Sequence, residues 1–287
     1  MKTLARVPEM RVAAAGVRAA GQRQGFVPTM GALHEGHLSL VRRSKREADV
    51  TVVSLFVNPA QFGPHEDFLQ YPRNLERDSE LLLREGVDFL FAPPVEEIYP
   101  ADFQTYVTVE RVAAPFEGAS RPGHFRGVAT VVAKLFHIVQ PDRAYFGRKD
   151  AQQCAVIKQM VRDLNLPVEI VVCPIVREPD GLALSSRNAY LSAEERQAAL
   201  ILHRSLCHAR DLILGGEHDT GKIIGQMRQL IAAEPRADVD YVEAVDPESF
   251  TPRVHFEGAT LIALAVRIGS TRLLDNLLVE DSSTGPR

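Results

Sequence analysis

The chain has 287 residues, 45% hydrophobic and 24% charged, which is ordinary globular composition and enough length for one large domain or two modest ones. Its 33 basic residues stand against 37 acidic ones, for a net charge of −4 and a pI near 6.2, so no polyanion-attracting field covers the molecule and nucleic acid is argued against as a main partner. No apolar run reaches membrane-spanning length, and Cys154, Cys173 and Cys207 are too widely spaced for a metal or redox motif, which fits reduced, buried thiols in a cytoplasmic protein.

The alanine-rich residues 12–20, flanked by Arg11 and interrupted by Arg18, fit an amphipathic helix rather than a signal peptide. Phe26 and Val27 then lead through Pro28 and Thr29 into a turn at Gly31, and the residues that follow read as a helix running to about Ala48. A strand, a glycine turn and a helix start together make a seat for phosphate, because the first turn of a helix exposes unpaired N–H groups at the positive end of its dipole. His34 and His37 stand three apart on one face of that turn, and Gly36 between them leaves room for a nucleotide. A zinc pair is disfavoured: no third ligand lies near at typical spacing, and the two-histidine protease pattern needs i, i+4.

Residues 49–57 form a near-continuous β-branched and apolar run, the pattern of a strand buried on both faces of a parallel sheet. Asn58 and Gln61 follow at its carboxyl end, where open α/β sheets bind ligands, although taken alone these residues read better as a plain polar turn. A helix is expected from about Asn74 to Glu85, with Leu75, Leu82 and Leu83 on its apolar side, then a short buried strand over 87–91. Residues 115–127 read as a turn-rich loop whose Arg121, His124 and Arg126 suit either an anionic small molecule or a solvated surface, and 128–139 as a buried helix. Ala144, Tyr145 and Phe146 end another strand. Gly147 allows a tight turn that delivers Lys149, Asp150 and Gln153 to the start of a helix reaching Leu164. Residues 168–176 are one more buried strand, and 177–188 a loop with Ser185, Ser186 and Arg187.

Beyond this loop the texture changes. A capping box at Ser192 and Glu195 opens a helix to about Leu214, stopped by Gly215 and Gly216; a second helix covers 220–234, and strands are expected over 239–245, 260–268 and 272–279. Helices followed by strands indicate a separate α+β unit, with the boundary between Val176 and Leu191. The architecture expected is thus α/β: a Rossmann-like parallel-sheet domain over 1–176, then a smaller α+β lid domain over 177–287, ending in a disordered tail over 281–287.

Six stretches of the chain, Gly-Ala-Leu-His-Glu-Gly-His from Gly31, Asn-Pro-Ala-Gln-Phe-Gly from Asn58, Tyr-Pro-Arg from Tyr71, Arg-Pro-Gly-His-Phe-Arg-Gly from Arg121, Gly-Arg-Lys-Asp-Ala-Gln-Gln from Gly147 and Leu-Ser-Ser-Arg-Asn from Leu184, together resemble the pantothenate synthetase family. That family belongs to the nucleotidyltransferases with a His-x-Gly-His signature on a Rossmann-like fold. The resemblance implies ligation of pantoate to β-alanine through a pantoyl-adenylate, with ATP consumed, AMP and pyrophosphate released, and a homodimeric assembly. It also implies roles. Met30, Gly31, Ala32, Leu33, His34, Glu35, Gly36 and His37 resemble the family's ATP loop, with both histidines beside the phosphates and His37 as proton donor. Gly147, Arg148, Lys149 and Asp150 resemble a second ATP contact, with Lys149 among the catalytic groups; Val176, Leu184, Ser185, Ser186 and Arg187 resemble a third, with Arg187 reaching phosphate. Gln61 and Gln153 resemble the glutamines that hold pantoate, Gln61 also near β-alanine, with Asn58 beside it; Asp78 is similar to an acidic position near Mg²⁺.

Arg148 and Leu184 depart from the glutamate and methionine common in the family, and neither change removes a catalytic group. A carboxylate attacking ATP meets like charge, which Lys149, Arg187 and the histidines are suited to offset. Two rivals remain at this stage: another nucleotidyltransferase on the same fold, and a catalytically silent nucleotide-binding module.

Overall fold

The computed structural model describes residues 1–64, 66–256 and 258–280; the tail 281–287 lies outside the described residues. The chain divides into two compact units, one of Met1–Arg148 with Val156–Pro174, the other of Lys149–Ala155 with the residues from Ile175 onward.

The first unit is an alternation of strands and helices. Its order is β1 (Lys2–Leu4), α1 (Val7–Ala19), β2 (Gln24–Thr29), α2 (Glu35–Glu47), β3 (Val50–Leu55), α3 (Leu75–Arg84), β4 (Phe89–Phe91), α4 (Val95–Ile98), α5 (Glu117–Ser120), α6 (His124–Val139), β5 (Arg143–Gly147), α7 (Ala151–Asp163, its first residues counting with the second unit) and β6 (Glu169–Cys173). The strands form one six-stranded parallel sheet in the order β1-β4-β3-β2-β5-β6. Side chains alternate across a strand, and β2 shows the result. Phe26 packs edge-on against Phe136 of α6, while Val27 joins Leu40 and Val41 of α2 in a separate cluster, so both faces of the sheet are covered. Each of these side chains buried whole is worth about 1.5–3 kcal/mol.

Strand order also locates the binding edge. The chain lays β3 on one side of β2 and β5 on the other, which makes the carboxyl ends of β2 and β5 the topological switch point, at Thr29 and Gly147. No helix among the described residues is long and apolar enough to cross a membrane.

The second unit carries α8 (Ala193–Ala198), α9 (Leu200–Leu214), α10 (Thr220–Ala232) and the strands β7 (Ala237–Val245), β8 (Thr260–Ile268) and β9 (Thr271–Val279), paired antiparallel in that order. Leu202 and Leu206 of α9 and Ile223 and Met227 of α10 pack with Val242, Ile262 and Leu264 into its core.

Several expectations need correction. The helix expected from residue 128 starts at His124, because Gly123 turns the chain with φ 86° and lets His124 and Phe125 bury; residues 117–120, expected as loop, are helical. Leu75 and Leu83 are exposed. The buried stripe of α3 runs through Asp78 and Leu82, one turn apart, since the Asp78 carboxylate is drawn inward by backbone N–H groups. The helix expected over 192–214 is two, joined at Ala199 by a tighter i→i+3 turn from Leu202 N–H to the Ala199 carbonyl. Residues 168–176 hold only a five-residue strand, half-buried because β6 is the sheet's edge.

Candidate active site

In the first unit the site begins where β2 ends. The Thr29 hydroxyl donates to the Ser54 carbonyl (2.8 Å) and accepts from Gly31 N–H (3.2 Å), which fixes the exit of the strand. Gly31 at φ 88° and Ala32 at φ 51° then turn the chain through the left-handed region, where a non-glycine residue is strained by about 1–3 kcal/mol. What holds this turn is Asp78. Its carboxylate, only 2% exposed, accepts from Ala32 N–H at 2.8 Å and Leu33 N–H at 3.0 Å.

His34 caps α2. Its Nδ1 accepts from Gly36 N–H (3.2 Å), and Nδ1 of His37 accepts from His34 N–H (3.4 Å), a reciprocal capping box made of two imidazoles. Because a backbone N–H can only donate, both Nδ1 atoms are acceptors, and each neutral ring therefore carries its proton on Nε2. Two ring donors, with centroids 4.1 Å apart, stand at the positive end of a helix beside the switch point.

Beyond β3, Asn58 caps a single 3₁₀ turn, Pro59–Gln61, and packs under α6. A Cβ on Gly127 would lie 2.1 Å from the Ala60 carbonyl oxygen, so only glycine lets α6 approach this turn. The Gln61 amide donates through Nε2 to Sδ of Met30 at 3.0 Å, which joins the residue expected to hold the acid to the loop expected to hold ATP. Gln61 also faces a cleft of about 110 Å³ shared with Tyr106, His124 and Arg126.

The basic stretch after residue 115 is more neutral than its composition suggests. Arg121 forms a two-pronged ion pair with Glu66 (2.7 Å on each side), and Arg126 lies 3.7 Å above the Tyr106 ring. His124 is buried between an obligate donor, Arg121 Nη1 at 3.1 Å from Nε2, and an obligate acceptor, the Gln61 carbonyl at 2.9 Å from Nδ1. The ring is thus neutral with its proton on Nδ1. Burial first and Arg121 second depress its pKa to about 4.

Gly147 and Arg148 end the first stretch of the first unit, and the second unit holds the other expected residues. Lys149 donates to Asp150 (3.0 Å), and both sit in a 3₁₀ turn that, with Arg148, leads into α7, where Gln153 is half-buried in the first turn. Val176 and Leu184 meet across a narrow turn, Leu184 N–H donating to the Val176 carbonyl at 3.0 Å. Ser185 caps the following 3₁₀ helix by accepting from Arg187 N–H (3.3 Å), with Ser186 as its first residue. Lys149, Ser185 and Arg187 line one depression with Asn188 and Asp275. Asp275 and Asn276 escaped the sequence reading. The buried Asp275 takes a two-pronged ion pair from Arg177 (2.6 and 2.8 Å), and Asn276 donates to the Lys149 carbonyl (3.1 Å), so β9 braces both the lysine turn and the serine loop. The signal for them was a polar pair inside the apolar run of β9.

Among the described residues no three His, Cys, Asp or Glu side chains gather as a metal site. Mg²⁺ accompanying a triphosphate needs only one or two protein carboxylates. Asp78 fits that demand in chemistry, each oxygen having used one of its two lone pairs on an N–H.

A parallel α/β sheet whose switch-point loop opens a helix and presents two imidazole donors defines a nucleotide-binding enzyme. The family model described as pantoate-beta-alanine ligase matches residues 2–278, and the chain belongs to that family. A relative called pantothenate synthetase from Caldicellulosiruptor saccharolyticus is 57% identical over 98% of this chain and 100% of its own length; one from Heliobacterium modesticaldum is 60% identical over 91% and 92%. Among solved structures, the pantothenate synthetase of Thermus thermophilus superposes with a TM-score of 0.92 at 50% identity, covering 96% of this chain and 99% of that one. A pantoate-beta-alanine ligase from Francisella tularensis, complexed with beta-gamma ATP and beta-alanine, gives 0.79 at 35% identity over the full length of both.

Proposed function

We propose that this chain condenses pantoate with β-alanine, using ATP, by way of a pantoyl-adenylate. A pantoate carboxylate oxygen bonds to the α-phosphorus while the bond to the β-phosphate oxygen breaks and pyrophosphate leaves. The β-alanine amine then bonds to the carbonyl carbon of the mixed anhydride, AMP departs, and the amine's proton is lost. The observation that carries this reading is the Gln61–Met30 contact, which puts an amide suited to a small polar acid against the loop that carries His34 and His37.

In this reading the first step is a problem of charge. The carboxylate and the triphosphate are both anionic, and donors aimed at the phosphate oxygens lower the barrier most where charge shifts on to pyrophosphate. The Nε2–H groups of His34 and His37, Lys149 and Arg187 serve there. Gly147, Arg148 and Asp150, Val176, and Leu184, Ser185 and Ser186 complete the ATP contacts through backbone and short polar groups. Gln61 and Gln153 orient pantoate through neutral amides, leaving its carboxylate nucleophilic. Asp78 would hold the Mg²⁺ that accompanies ATP, and the ion would supply further neutralisation of the phosphates. The residues from 177 onward act as a lid over the domain of residues 1–176, excluding water from an anhydride that hydrolyses. The enzyme works as a cytoplasmic homodimer.

The test is AMP formation from ATP and pantoate, with and without β-alanine. Stoichiometric AMP and pantothenate only when all three are present supports the reading. ATP turnover that ignores pantoate removes it.

A further inference from the structure

Gln61 is a carboxamide, and a carboxamide can face a ligand with either its oxygen or its nitrogen. Which one it presents decides what it can recognise. Here the choice follows from a chain of groups that starts at two backbone atoms. Ala60 N–H, an obligate donor, lies 3.2 Å from the Asn58 side-chain oxygen, and the Gly127 carbonyl, an obligate acceptor, lies 3.1 Å from the Asn58 side-chain nitrogen. These two backbone groups favour one sense of the Asn58 amide. Its remaining N–H points at Gln61 Oε1, 3.0 Å away, so the Gln61 oxygen is committed inward and its Nε2 faces Met30.

A further partner of Asn58 comes, like Gly127, from outside this turn. The Tyr99 hydroxyl stands 2.9 Å from the same Asn58 oxygen, and because that oxygen can only accept, Tyr99 must be the donor. Burial raises the phenol's pKa well above its usual value, so the proton stays in place. The ring is set by its neighbours, lying 6.2 Å from Phe56 and 5.0 Å from Phe103, centroid to centroid. Asn58 itself is 1% exposed and has a partner on each polar atom. It therefore acts behind Gln61 rather than on a ligand.

We propose that Tyr99 is a positioning residue that, through Asn58, locks Gln61 with its N–H₂ toward the substrate, so that the site accepts only a ligand atom with a lone pair to offer. The group that meets Gln61 is then a hydroxyl or carboxylate oxygen of the acid and not the ammonium form of the amine substrate. This rests on the reading of Gln61 as the pantoate amide given above.

The test uses Tyr99→Phe, which keeps the ring contacts and removes only the donor. Loss of one hydrogen bond between uncharged groups predicts a KM for pantoate raised about tenfold, with the KM for ATP and the thermal midpoint near wild type. In the background of Asn58→Asp, where Gln61 is forced to turn its nitrogen inward, Tyr99→Phe should add no further loss. Additive effects would show that Tyr99 does not act through Asn58. A second readout needs no substrate: the buried carboxamide protons of Asn58 and Gln61, followed by NMR, should exchange with water faster in Tyr99→Phe. An unchanged pantoate KM and unchanged exchange overturn the proposal, as do pantoate and ATP constants rising together with a lowered midpoint, the mark of a merely structural tyrosine. If the wild-type enzyme does not use pantoate, the functional reading fails on its own, and the exchange measurement decides whether the relay exists.

Discussion

The Asp78 carboxylate is the point at which the turn before α2 can be tested most directly. It is buried at 2% exposure and accepts two backbone N–H groups, from Ala32 and Leu33, in a turn with Gly31 at φ 88° and Ala32 at φ 51°. Replacing it with asparagine leaves one oxygen and turns an N–H₂ group toward the second donor. One N–H is then orphaned in the interior, at a cost of about 1–3 kcal/mol, and Asp78→Ala orphans both for about 2–6 kcal/mol. The strained Ala32 is held through its N–H to this carboxylate, so the turn should loosen before the unit unfolds. ATP would then have to order it on binding, and we expect the KM for ATP to rise about tenfold in Asp78→Asn, the equivalent of roughly 1.4 kcal/mol. Because the chain has no tryptophan, urea unfolding is best followed by circular dichroism or tyrosine emission. An Asp78→Asn variant with the wild-type unfolding midpoint and the wild-type ATP constant would refute the assignment of this carboxylate to the turn.

Four further outcomes are expected. His37→Ala should fold normally and lose turnover by roughly 10²–10³-fold, as for one charge-stabilising donor; near-normal turnover would take His37 out of the mechanism. Gln153→Ala should raise the KM for pantoate more than that for ATP, and Gln61→Ala those for pantoate and β-alanine together, so weakened ATP binding alone would mean that the acid pocket lies elsewhere. Arg187→Ala should slow pantoyl-adenylate formation in rapid-quench experiments more than it weakens ATP binding, because its contact strengthens as charge moves in the transition state; an unchanged single-turnover rate would sink the lid role. His124 is held near pH 4 by burial and Arg121, below its unfolded value of 6.5. The unfolded chain therefore binds the extra proton between those values, and the stability this histidine contributes is complete above pH 6.5 and lost as the pH falls toward 4. His124→Gln, which keeps a donor for the Gln61 carbonyl, should flatten that loss in acid-unfolding curves, and a profile identical to wild type would contradict the assignment.

The fold was legible where one physical signal dominated. Residues 49–57 are apolar without alternation because β3 is buried on both faces, and Ser192 with Glu195 marked the start of α8 because capping is a local matter of two side chains and two N–H groups. It was illegible where tertiary demand overrode the local pattern. In α3 the leucines at 75 and 83 point outward and an aspartate points in, because the turn at residues 31–33 needs an acceptor more than the core needs another side chain. At Gly123 the left-handed turn that starts α6 early depends on burying His124 against the carbonyl of Gln61, a residue far away in the sequence.

The site divides along the same line. Residue types and spacing are local, so His34, His37, Lys149 and Arg187 could be proposed as site candidates from the chain. Hydrogen-bond polarity is not local. The two neighbouring histidines are Nε2–H tautomers because their Nδ1 atoms cap a helix, whereas His124 is an Nδ1–H tautomer because it sits between an arginine and a carbonyl. Chemically identical rings thus carry opposite tautomers, the pair with its protons on Nε2 and His124 with its proton on Nδ1. The same holds for Asn58, a ligand-contact candidate by its place at a strand end, whose side chain has four partners in Ala60, Tyr99, Gln61 and Gly127. A sequence names the groups that can donate; which way each one donates is decided by the backbone atoms that folding brings to its other side.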